Sequence, residues 1–535
     1  MLTVSEIAQK TPEEIYFLLN KFDNKNAKLE QNNLSLESKL KKSQTEIDAL
    51  TFKLNKALHK QYAQQSEKLV NVLQARLFDE QADDAPAIEM AEDACAETNE
   101  QDIKIEAHTR KRGRKKLPAF LPRVREEHDI LDAEKQCDCG CQLKCIGEDI
   151  SEKLEFIPAK MRVLEVARLK YACPECEGNV KIAPLPAQVI PKSIATEGLL
   201  SHVFVSKFCD ALPFYRLETI LKRMGVEISR GTFCRWAITC SQLLAPLVDR
   251  LQSHIVNYDV SFADETKLQV LKEEDRAPKD RSYIWLFIGG DSAHRSYVYQ
   301  YDPSRSHHVP HEFYQGFKGY LHCDAYSAYL TLSKKEKAIV LVHCLAHARR
   351  RFVDIIKLSK KCGVAQAVVK EMAKLYRLEK KFKQQNLSPE QVYQQRQKKS
   401  KPILIHLKNY LDEKSQQSIK SEALSDAINY CLNHWIGLTR YLEDGRLDID
   451  NNRSERGIKP FVIGRKNWLF HDNPEGAKAG SIFYSLIETC KAHGVEPYAY
   501  LKYALMKIRQ CQNECDFDQL LPFNVDQSEL AKMYA

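Results

Sequence analysis

The stretch Gly319-Tyr-Leu-His-Cys-Asp-Ala-Tyr326 indicates how the central part of the chain folds. Its apolar first half is typical of a short buried strand, and that strand ends on a single carboxylate, Asp324. A carboxylate at a buried strand end is unfavourable unless a positive group lies against it. The stretch therefore predicts a strand whose last acid faces a cation, for which a bound metal ion is the simplest candidate.

Two other acids lie in segments that complement this strand end. Asp264 lies in the apolar-flanked run Tyr258-Asp-Val-Ser-Phe-Ala-Asp-Glu-Thr266, and Glu455 lies in Asp450-Asn-Asn-Arg-Ser-Glu-Arg-Gly-Ile-Lys459. Hard divalent ions prefer carboxylate oxygens. Two such ions roughly 3.5–4 Å apart activate the nucleophile and stabilise the leaving oxygen in phosphodiester cleavage. Together the three acids predict a site that binds two Mg²⁺ or Mn²⁺ ions and cuts DNA.

Each of these acids has neighbours that compete for the same role. Glu265 competes with Asp264, and adjacent strand residues face opposite sides, so only one of the two can face the site. Asp448 and Asp450 compete with Glu455. A surface ion pair or a helix cap is the commoner role for any single acid, so the hypothesis depends on the set.

The residues around these acids predict a mixed sheet with a helical insertion. Three successive strands, then a helix, a strand, a helix and a strand, are typical of a ribonuclease-H-like α/β core. In that core the first and fourth strands carry one acid each, side by side. A lysine- and glutamine-rich span at about 358–442 is predicted as an α-helical insertion. The five strands are expected at 257–270, 283–289, 296–301, 319–323 and 338–342.

The N-terminal region carries a heptad repeat without proline or glycine between residues 25 and 58. The repeat predicts a coiled coil that self-associates, with Asn33 setting the register. An amphipathic helix packed within its own chain is the alternative. The two seam positions are occupied by Leu29, Leu36, Leu50 and Ala57, and by Leu40, Ile47 and Leu54.

An acidic segment and a basic run follow this helix. Residues 79–106 are rich in Asp, Glu and Ala, which predicts a disordered linker. The basic run Arg110-Lys-Arg-Gly-Arg-Lys-Lys116 comes next. In it, Arg112 and Arg114 are expected to contact DNA phosphates or a narrow minor groove.

Two cysteine knuckles about thirty residues apart predict a structural zinc site. The second knuckle is Cys173-Pro-Glu-Cys176. The first, Cys137-Asp-Cys-Gly-Cys141, holds three cysteines and leaves the choice of ligands open. Four of the following five are expected to bind zinc: Cys137, Cys139, Cys141, Cys173 and Cys176.

Residues 193–243 have the spacing of a helix-turn-helix. One helix is expected to end at Gly225, and Ser229 is expected to cap a second helix that carries Arg230 and Arg235. Helix pairs that bind no DNA share this shape.

Basic residues also flank the predicted metal site. The Cys344-Leu-Ala-His347 spacing permits metal binding, although packing beside the site is the expected role. Trp468 either stacks on a base or packs in the core. DNA contacts near the site are expected from Arg349, Arg350, Arg465 and Lys466.

Composition limits the class of protein. A chain of 535 residues is too long for one core, so several domains are expected. The net charge of +8 with local basic clusters indicates a polyanion partner. No signal-peptide pattern and no apolar run near the roughly 20 residues of a membrane span are seen. The odd cysteine count fits reduced thiols, so a cytoplasmic location without a membrane partner is expected.

The chain resembles bacterial insertion-sequence transposases of the insertion-sequence-sixty-six family (TnpC type) over almost its whole length. The resemblance implies that Asp264, Asp324 and Glu455 form a catalytic Asp-Asp-Glu triad, and that Cys344 and His347 match a signature of such enzymes. The most specific matching segments are Ala263-Asp-Glu-Thr266, Gly319 to Tyr326, Ala346-His-Ala-Arg-Arg350, Asn451-Asn-Arg-Ser-Glu-Arg456 and Gly464-Arg-Lys-Asn-Trp-Leu-Phe470.

The resemblance further implies a homo-oligomeric, nucleoid-associated DNA transposase that works with target DNA and accessory transposition proteins. Its zinc and helix-turn-helix regions would bind terminal inverted repeats, and its core would cleave and join DNA. The alternatives are a DNA-binding regulator with an inactive core and a structure-selective nuclease of the same fold. The expected multidomain α+β order is coiled coil 1–78, linker and basic segment 79–122, zinc-binding domain 123–185, helix-turn-helix 186–250, ribonuclease-H-like core 251–490 and C-terminal helical domain 491–535.

Overall fold

The computed structural model describes residues 11–62, 161–171, 181–184, 188–358, 363–417 and 421–534. The chain divides into two compact units, one formed by residues 1–81 and 187–535 and the other by residues 82–186. The acidic linker, the basic run with Arg112 and Arg114, and the five candidate zinc cysteines lie outside the described residues. The domain boundaries expected from the sequence stay predictions.

The N-terminal region is one continuous helix, α1 (Pro12–Tyr62). Its length agrees with the absence of proline and glycine from the heptad region. The seam leucines are exposed to solvent, with Leu36 at 61 % and Leu40 at 71 % exposure. The described part of the chain therefore leaves this apolar seam uncovered.

Little of the smaller unit is described. Its strands β1 (Lys170–Tyr171) and β2 (Lys181–Ile182) pair antiparallel. Arg168 Nε donates to the carbonyl of Ala183 at 2.7 Å and extends this pairing. In the sequence, Cys173 and Cys176 lie between the two strands.

Three helices precede the sheet and pack in the same unit. Gly225 adopts φ +83° after the second of these helices, which is the left-handed conformation that glycine accepts. The Ser229 hydroxyl accepts a hydrogen bond from Thr232 N and caps the third helix, as expected. Apolar residues at helical spacing along that long helix pack against a strand of the central sheet and a later helix. The three helices are α2 (Glu197–Phe208), α3 (Phe214–Arg223) and α4 (Arg230–Val256).

The central sheet has five strands in the spatial order β5-β4-β3-β6-β7. Strands β3, β4 and β5 are antiparallel neighbours, whereas β6 and β7 run parallel to β3. Each strand matches the segment expected from the sequence, with end points shifted by at most three residues. The strands are β3 (Val260–Gln269), β4 (Arg281–Gly289), β5 (Ser296–Asp302), β6 (Gly319–Cys323) and β7 (Ile339–His343).

Helices connect the parallel strands and then form the insertion. The insertion packs back onto α7 and contains a π-helical turn at Arg396–Ser400. The connecting helices are α5 (His308–Phe313), α6 (Ser327–Lys335) and α7 (Leu345–Leu358). The insertion helices are α8 (Gly363–Gln384), α9 (Pro389–Gln395), α10 (Lys401–Gln416), α11 (Glu422–Asn433) and α12 (Trp435–Thr439).

After the insertion, the chain returns to the sheet. Helix α13 (Asn452–Trp468) packs on β3 and β4, where a Cβ at Gly457 would lie 2.9 Å from the Leu286 side chain. Glycine at this position therefore allows close contact between helix and sheet. The remaining helices are α14 (Pro474–Ala492), α15 (Pro497–Lys507), α16 (Glu514–Gln519) and α17 (Gln527–Ala531). Among the described helices, none is long and apolar enough to cross a membrane.

Candidate active site

The sheet brings Asp264 and Asp324 side by side. Phe262 on β3 is the partner of His322 on the parallel strand β6. Continuing this register by two residues places Asp264 opposite Asp324, at the point where β6 ends. The Asp324 carboxylate accepts a hydrogen bond from Tyr326 N at 3.0 Å, which holds the turn that follows the strand. The adjacency that was expected of the first and fourth core strands is therefore present.

The charge of Glu455 also acts on Asp264. Burial raises the pKa of Asp264 well above its ordinary value. The nearby charges of Glu265, Asp324 and Glu455 raise the Asp264 pKa further. Carboxylates from two strands and from the first turn of α13 therefore act on Asp264, and a cation bound near them would relieve this repulsion.

Glu455 faces an arginine and a histidine on helix α7. Its Oε1 atom lies 3.6 Å from Arg350 Nη2 and 3.8 Å from His347 Nε2. These separations exceed hydrogen-bond length. Glu455 Oε1 is buried and has no hydrogen-bond partner among the described residues. A buried carboxylate oxygen without a donor is the kind of atom that a metal ion satisfies.

Asn451 fixes the position of this first turn. Its backbone N–H donates to Cys344 Sγ at 3.1 Å, and its Nδ2 donates to the carbonyl of Ala263 at 2.9 Å. Its Oδ1 accepts from the Ser454 hydroxyl at 2.9 Å. One residue therefore joins β3 beside Asp264, the start of α7 and the turn that carries Glu455. The sequence reasoning assigned no role to Asn451.

Cys344, His347 and Glu455 form a second kind of donor set. One ligand atom from each lies within 4.8 Å of the others. A thiol and an imidazole suit zinc better than magnesium. Burial raises the pKa of the Cys344 thiol to about 12, so the free thiol stays protonated and accepts the Asn451 hydrogen bond. This contact agrees with the packing role expected for Cys344.

The competing acids have other partners. Asp264 shares its side of β3 with Thr266, whose hydroxyl accepts from Arg465 of α13 at 3.3 Å. Glu265 faces the other side, where it accepts from Arg305 Nε and from the Tyr329 hydroxyl, each at 2.8 Å. Burial, followed by the nearby Asp324, raises the pKa of Glu265. Glu265 is thus a buried carboxylate that pairs with the partly exposed Arg305 behind the site.

The acids that competed with Glu455 are also engaged locally. Asp448 forms an ion pair with Arg453 at 3.0 Å. Asp450 accepts from the backbone N–H of Asn452 at 3.1 Å and from its side-chain amide at 2.7 Å. Neither contact involves Asp264 or Asp324.

A cavity of about 350 Å³ opens beside Asp324. Both acids and bases line it, and two of its lining residues, His347 and Arg350, also lie near Glu455. A cavity with convergent charged groups at the end of parallel strands is a common location for a binding site. Its lining includes Asp324, Tyr326, His347, Arg350, Asp354 and Tyr430.

The described basic residues that were predicted to bind DNA lie in three places, on α7, at the end of α13 and at the start of α4. Arg350 lies near Glu455, and the Arg349 guanidinium lies 6.0 Å from the centre of the Tyr376 ring. Arg465 and Lys466 belong to the last turn of α13. Arg230 and Arg235 are exposed at the start of α4, where Arg235 Nη2 donates to the Thr232 hydroxyl at 3.0 Å.

Trp468 packs within the protein. Its ring lies 5.6 Å from that of Phe461 and 4.5 Å from that of His471, centre to centre. These contacts favour the core alternative over base stacking. The next two residues, Leu469 and Phe470, are exposed instead. Both belong to the family-like segment Gly464 to Phe470, but no role was expected for them from the sequence.

Four family models match this chain. The model described as "Transposase IS66 family" matches residues 192–479. The "zinc-finger binding domain of transposase IS66" matches residues 134–177, and the "IS66 C-terminal element" matches residues 485–523. The model described as "Transposase C of IS166 homeodomain" matches residues 49–125. The zinc-finger match supports a structural zinc site in this chain.

Relatives from Sinorhizobium fredii (strain NBRC 101917 / NGR234) cover most of the chain. The uncharacterized protein y4jD is 35 % identical over 76 % of this chain and 81 % of its own length. The uncharacterized protein y4qI is 33 % identical over 77 % of each chain. Because the IS66 transposase model matches more than half of the residues, the chain belongs to the IS66 family of transposases.

Proposed function

We propose that this protein is a DNA transposase that binds the terminal inverted repeats of an insertion sequence, cleaves the ends and joins them to target DNA. The observation that carries the proposal is that Asp264 and Asp324 are neighbours on two parallel strands, with Glu455 on a helix near enough for its charge to raise the Asp264 pKa. Family membership supplies the class of reaction, a transposase acting on DNA.

Two Mg²⁺ or Mn²⁺ ions would be held by these carboxylates. Asp264, Asp324 and Glu455 would supply the carboxylate oxygens that such hard ions prefer. When bound, such ions activate the attacking oxygen and stabilise the leaving oxygen. The chain itself positions the three carboxylates, because Asn451 holds the turn that carries Glu455 and the sheet register places the two aspartates side by side.

The strand order supports a ribonuclease-H-like assignment for the core. Three antiparallel strands are followed by two parallel strands, with the first and fourth strands as neighbours. Asp324 directly follows the end of the fourth strand, and Asp264 lies within the first strand. The zinc ligands are proposed to be four of the five candidate cysteines. Nucleoid association and accessory proteins are part of the same proposal.

A strand-transfer assay tests the proposed function. The full chain is incubated with DNA fragments that end in the inverted repeats flanking its gene, with target DNA and Mg²⁺. We expect joined products that disappear when EDTA replaces Mg²⁺ or when the terminal repeats are scrambled. Specific binding without any metal-dependent cleavage would instead show a regulator with an inactive core. Nicking of branched DNA without preference for the repeats would show a structure-selective nuclease.

We further propose that α1 mediates homo-oligomerisation through its exposed seam. Leu36, Leu40, Ile47 and Leu54 are each more than half exposed, although apolar side chains at heptad spacing normally pack against a partner helix. A helix packed within its own chain would cover these positions. A second copy of α1 supplies the matching seam.

Replacing Leu40 by aspartate is expected to dissociate the oligomer. A buried seam leucine contributes roughly 2–5 kcal/mol, so the dissociation constant should rise by at least about thirtyfold. Analytical ultracentrifugation at micromolar concentration measures this change. Ser38→Asp places the same charge on the outer face of the helix and should leave the mass unchanged. An unaltered mass for Leu40→Asp would show that another surface holds the oligomer.

A further inference from the structure

The end of α13 carries a strained turn that presents two apolar side chains. Leu469 adopts φ +72° and ψ −55°, and Phe470 N donates to the carbonyl of Trp468 at 2.9 Å. This is a γ-turn with positive φ, a conformation that is rare and unfavourable for a residue with a side chain. Leu469 is 64 % exposed and Phe470 is 43 % exposed.

The surrounding structure holds this turn on both sides. Before it, Trp468 packs on Phe461. After it, the buried His471 forms a parallel bridge with Val270, and its backbone N–H donates to the carbonyl of Gln269 at 3.0 Å. Strained backbone persists where its surroundings fix it, and such places are often functional. Here the fixed neighbours force the two apolar side chains outward.

The path from the acids to this turn is basic. Glu455 is the only acid within α13, and the exposed face of the helix carries Arg456, Lys459 and Lys466. Leu469 lies about 20 Å from Glu455 along the axis, at about 1.5 Å of rise per residue. That distance corresponds to about six base pairs of duplex at about 3.4 Å each.

We propose that Leu469 and Phe470 form an apolar wedge that enters duplex DNA about six base pairs from the phosphate held at the acids. Basic groups along a helix bind phosphates, and exposed Leu or Phe side chains enter between base pairs and unstack them. Duplex DNA is the occupant that matches both the charge of α13 and the apolar tip. The inference rests on the proposed transposase function, because it places the cleaved phosphate at Asp264, Asp324 and Glu455.

Fluorescence of 2-aminopurine tests the wedge directly. The base is placed singly at positions three to nine base pairs from the cleaved end, and the full chain is added without divalent metal. We expect the fluorescence to rise at one or two adjacent positions near the sixth pair. The Leu469→Ala/Phe470→Ala double variant should reduce that rise at least fivefold. Met506→Ala, which removes another exposed apolar side chain, should leave it unchanged.

A rescue experiment separates unstacking from general loss of structure. The double variant should lose about tenfold in strand transfer on fully paired ends, and a mismatch at the responsive step should restore most of that loss. Leu469→Gly, which accepts the positive φ, should keep the thermal unfolding midpoint at or above that of the parent. If the wild type joins DNA without any fluorescence rise, or if the double variant keeps the rise, the wedge proposal is wrong while the proposed function stands. Absence of joining by the wild type would overturn the proposed function.

Discussion

Replacing Glu455 by glutamine is expected to lower the rate of metal-dependent strand transfer by about a thousandfold, which corresponds to roughly 4 kcal/mol of transition-state stabilisation. The amide keeps the shape of the side chain but removes the charge that would complete the shell of one metal ion. Single-turnover joining of pre-cleaved ends in Mg²⁺ measures this rate.

The same substitution should not weaken the fold. Glu455, Asp264 and Asp324 repel one another in the metal-free protein, and this repulsion contributes to the raised pKa of Asp264. Removing one charge relieves the repulsion, so the thermal midpoint without metal should stay equal or rise slightly. Loss of activity together with a lowered midpoint would show that Glu455 acts through folding instead.

Asp448→Asn provides the matched control. Asp448 was a competitor of Glu455 in the sequence, but the structure pairs it with Arg453. This variant should keep strand transfer within about threefold of the wild type, since a partly exposed ion pair contributes no more than about 1 kcal/mol. Equal losses in Asp448→Asn and Glu455→Gln would contradict the assignment of the third acid.

The three acids differ in how far the sequence alone could place them. Strand pattern placed Asp324 at the end of β6 and Asp264 within β3, and the observed register brings them together. Glu455 depends on the path of the chain after a long helical insertion, which no local periodicity encodes. Its position became clear only with the contacts of Asn451 to Ala263 and Cys344.

The strained turn at Leu469 and the opposite orientations of Asp264 and Glu265 could not be predicted from the sequence either. Leu469 adopts a conformation that favours glycine, so no local preference predicts a turn there. Glu265 and Asp264 looked interchangeable in sequence, and the partners Arg305 and Tyr329 came from distant segments. The zinc ligands remain as open as the sequence left them, because those cysteines lie outside the described residues.

The insertion is tied to the core by a buried arginine. Arg396 lies in the π-helical turn, with its side chain 3 % exposed. It forms a two-pronged ion pair with Glu379, Nε to Oε1 at 2.9 Å and Nη2 to Oε2 at 2.7 Å. Its remaining donors reach the carbonyls of Tyr441, Asp444 and Leu447 at 2.7 to 2.9 Å. These carbonyls belong to the segment that leads to Asn451 and Glu455. The Arg396 side chain therefore fixes the backbone where the insertion ends.

Replacing Arg396 by methionine is therefore expected to destabilise this region by about 3–5 kcal/mol, because it leaves Glu379 charged, buried and unpaired. Hydrogen exchange of the amides between residues 441 and 447 should accelerate by at least about a hundredfold, and strand transfer should fall as Glu455 loses its fixed position. Arg396→Lys should recover little, since an ammonium cannot reproduce the planar fork. The Arg396→Met/Glu379→Leu double variant removes both charges and should recover most of the stability. If the double variant were as unstable as Arg396→Met, the carbonyl contacts rather than the ion pair would dominate.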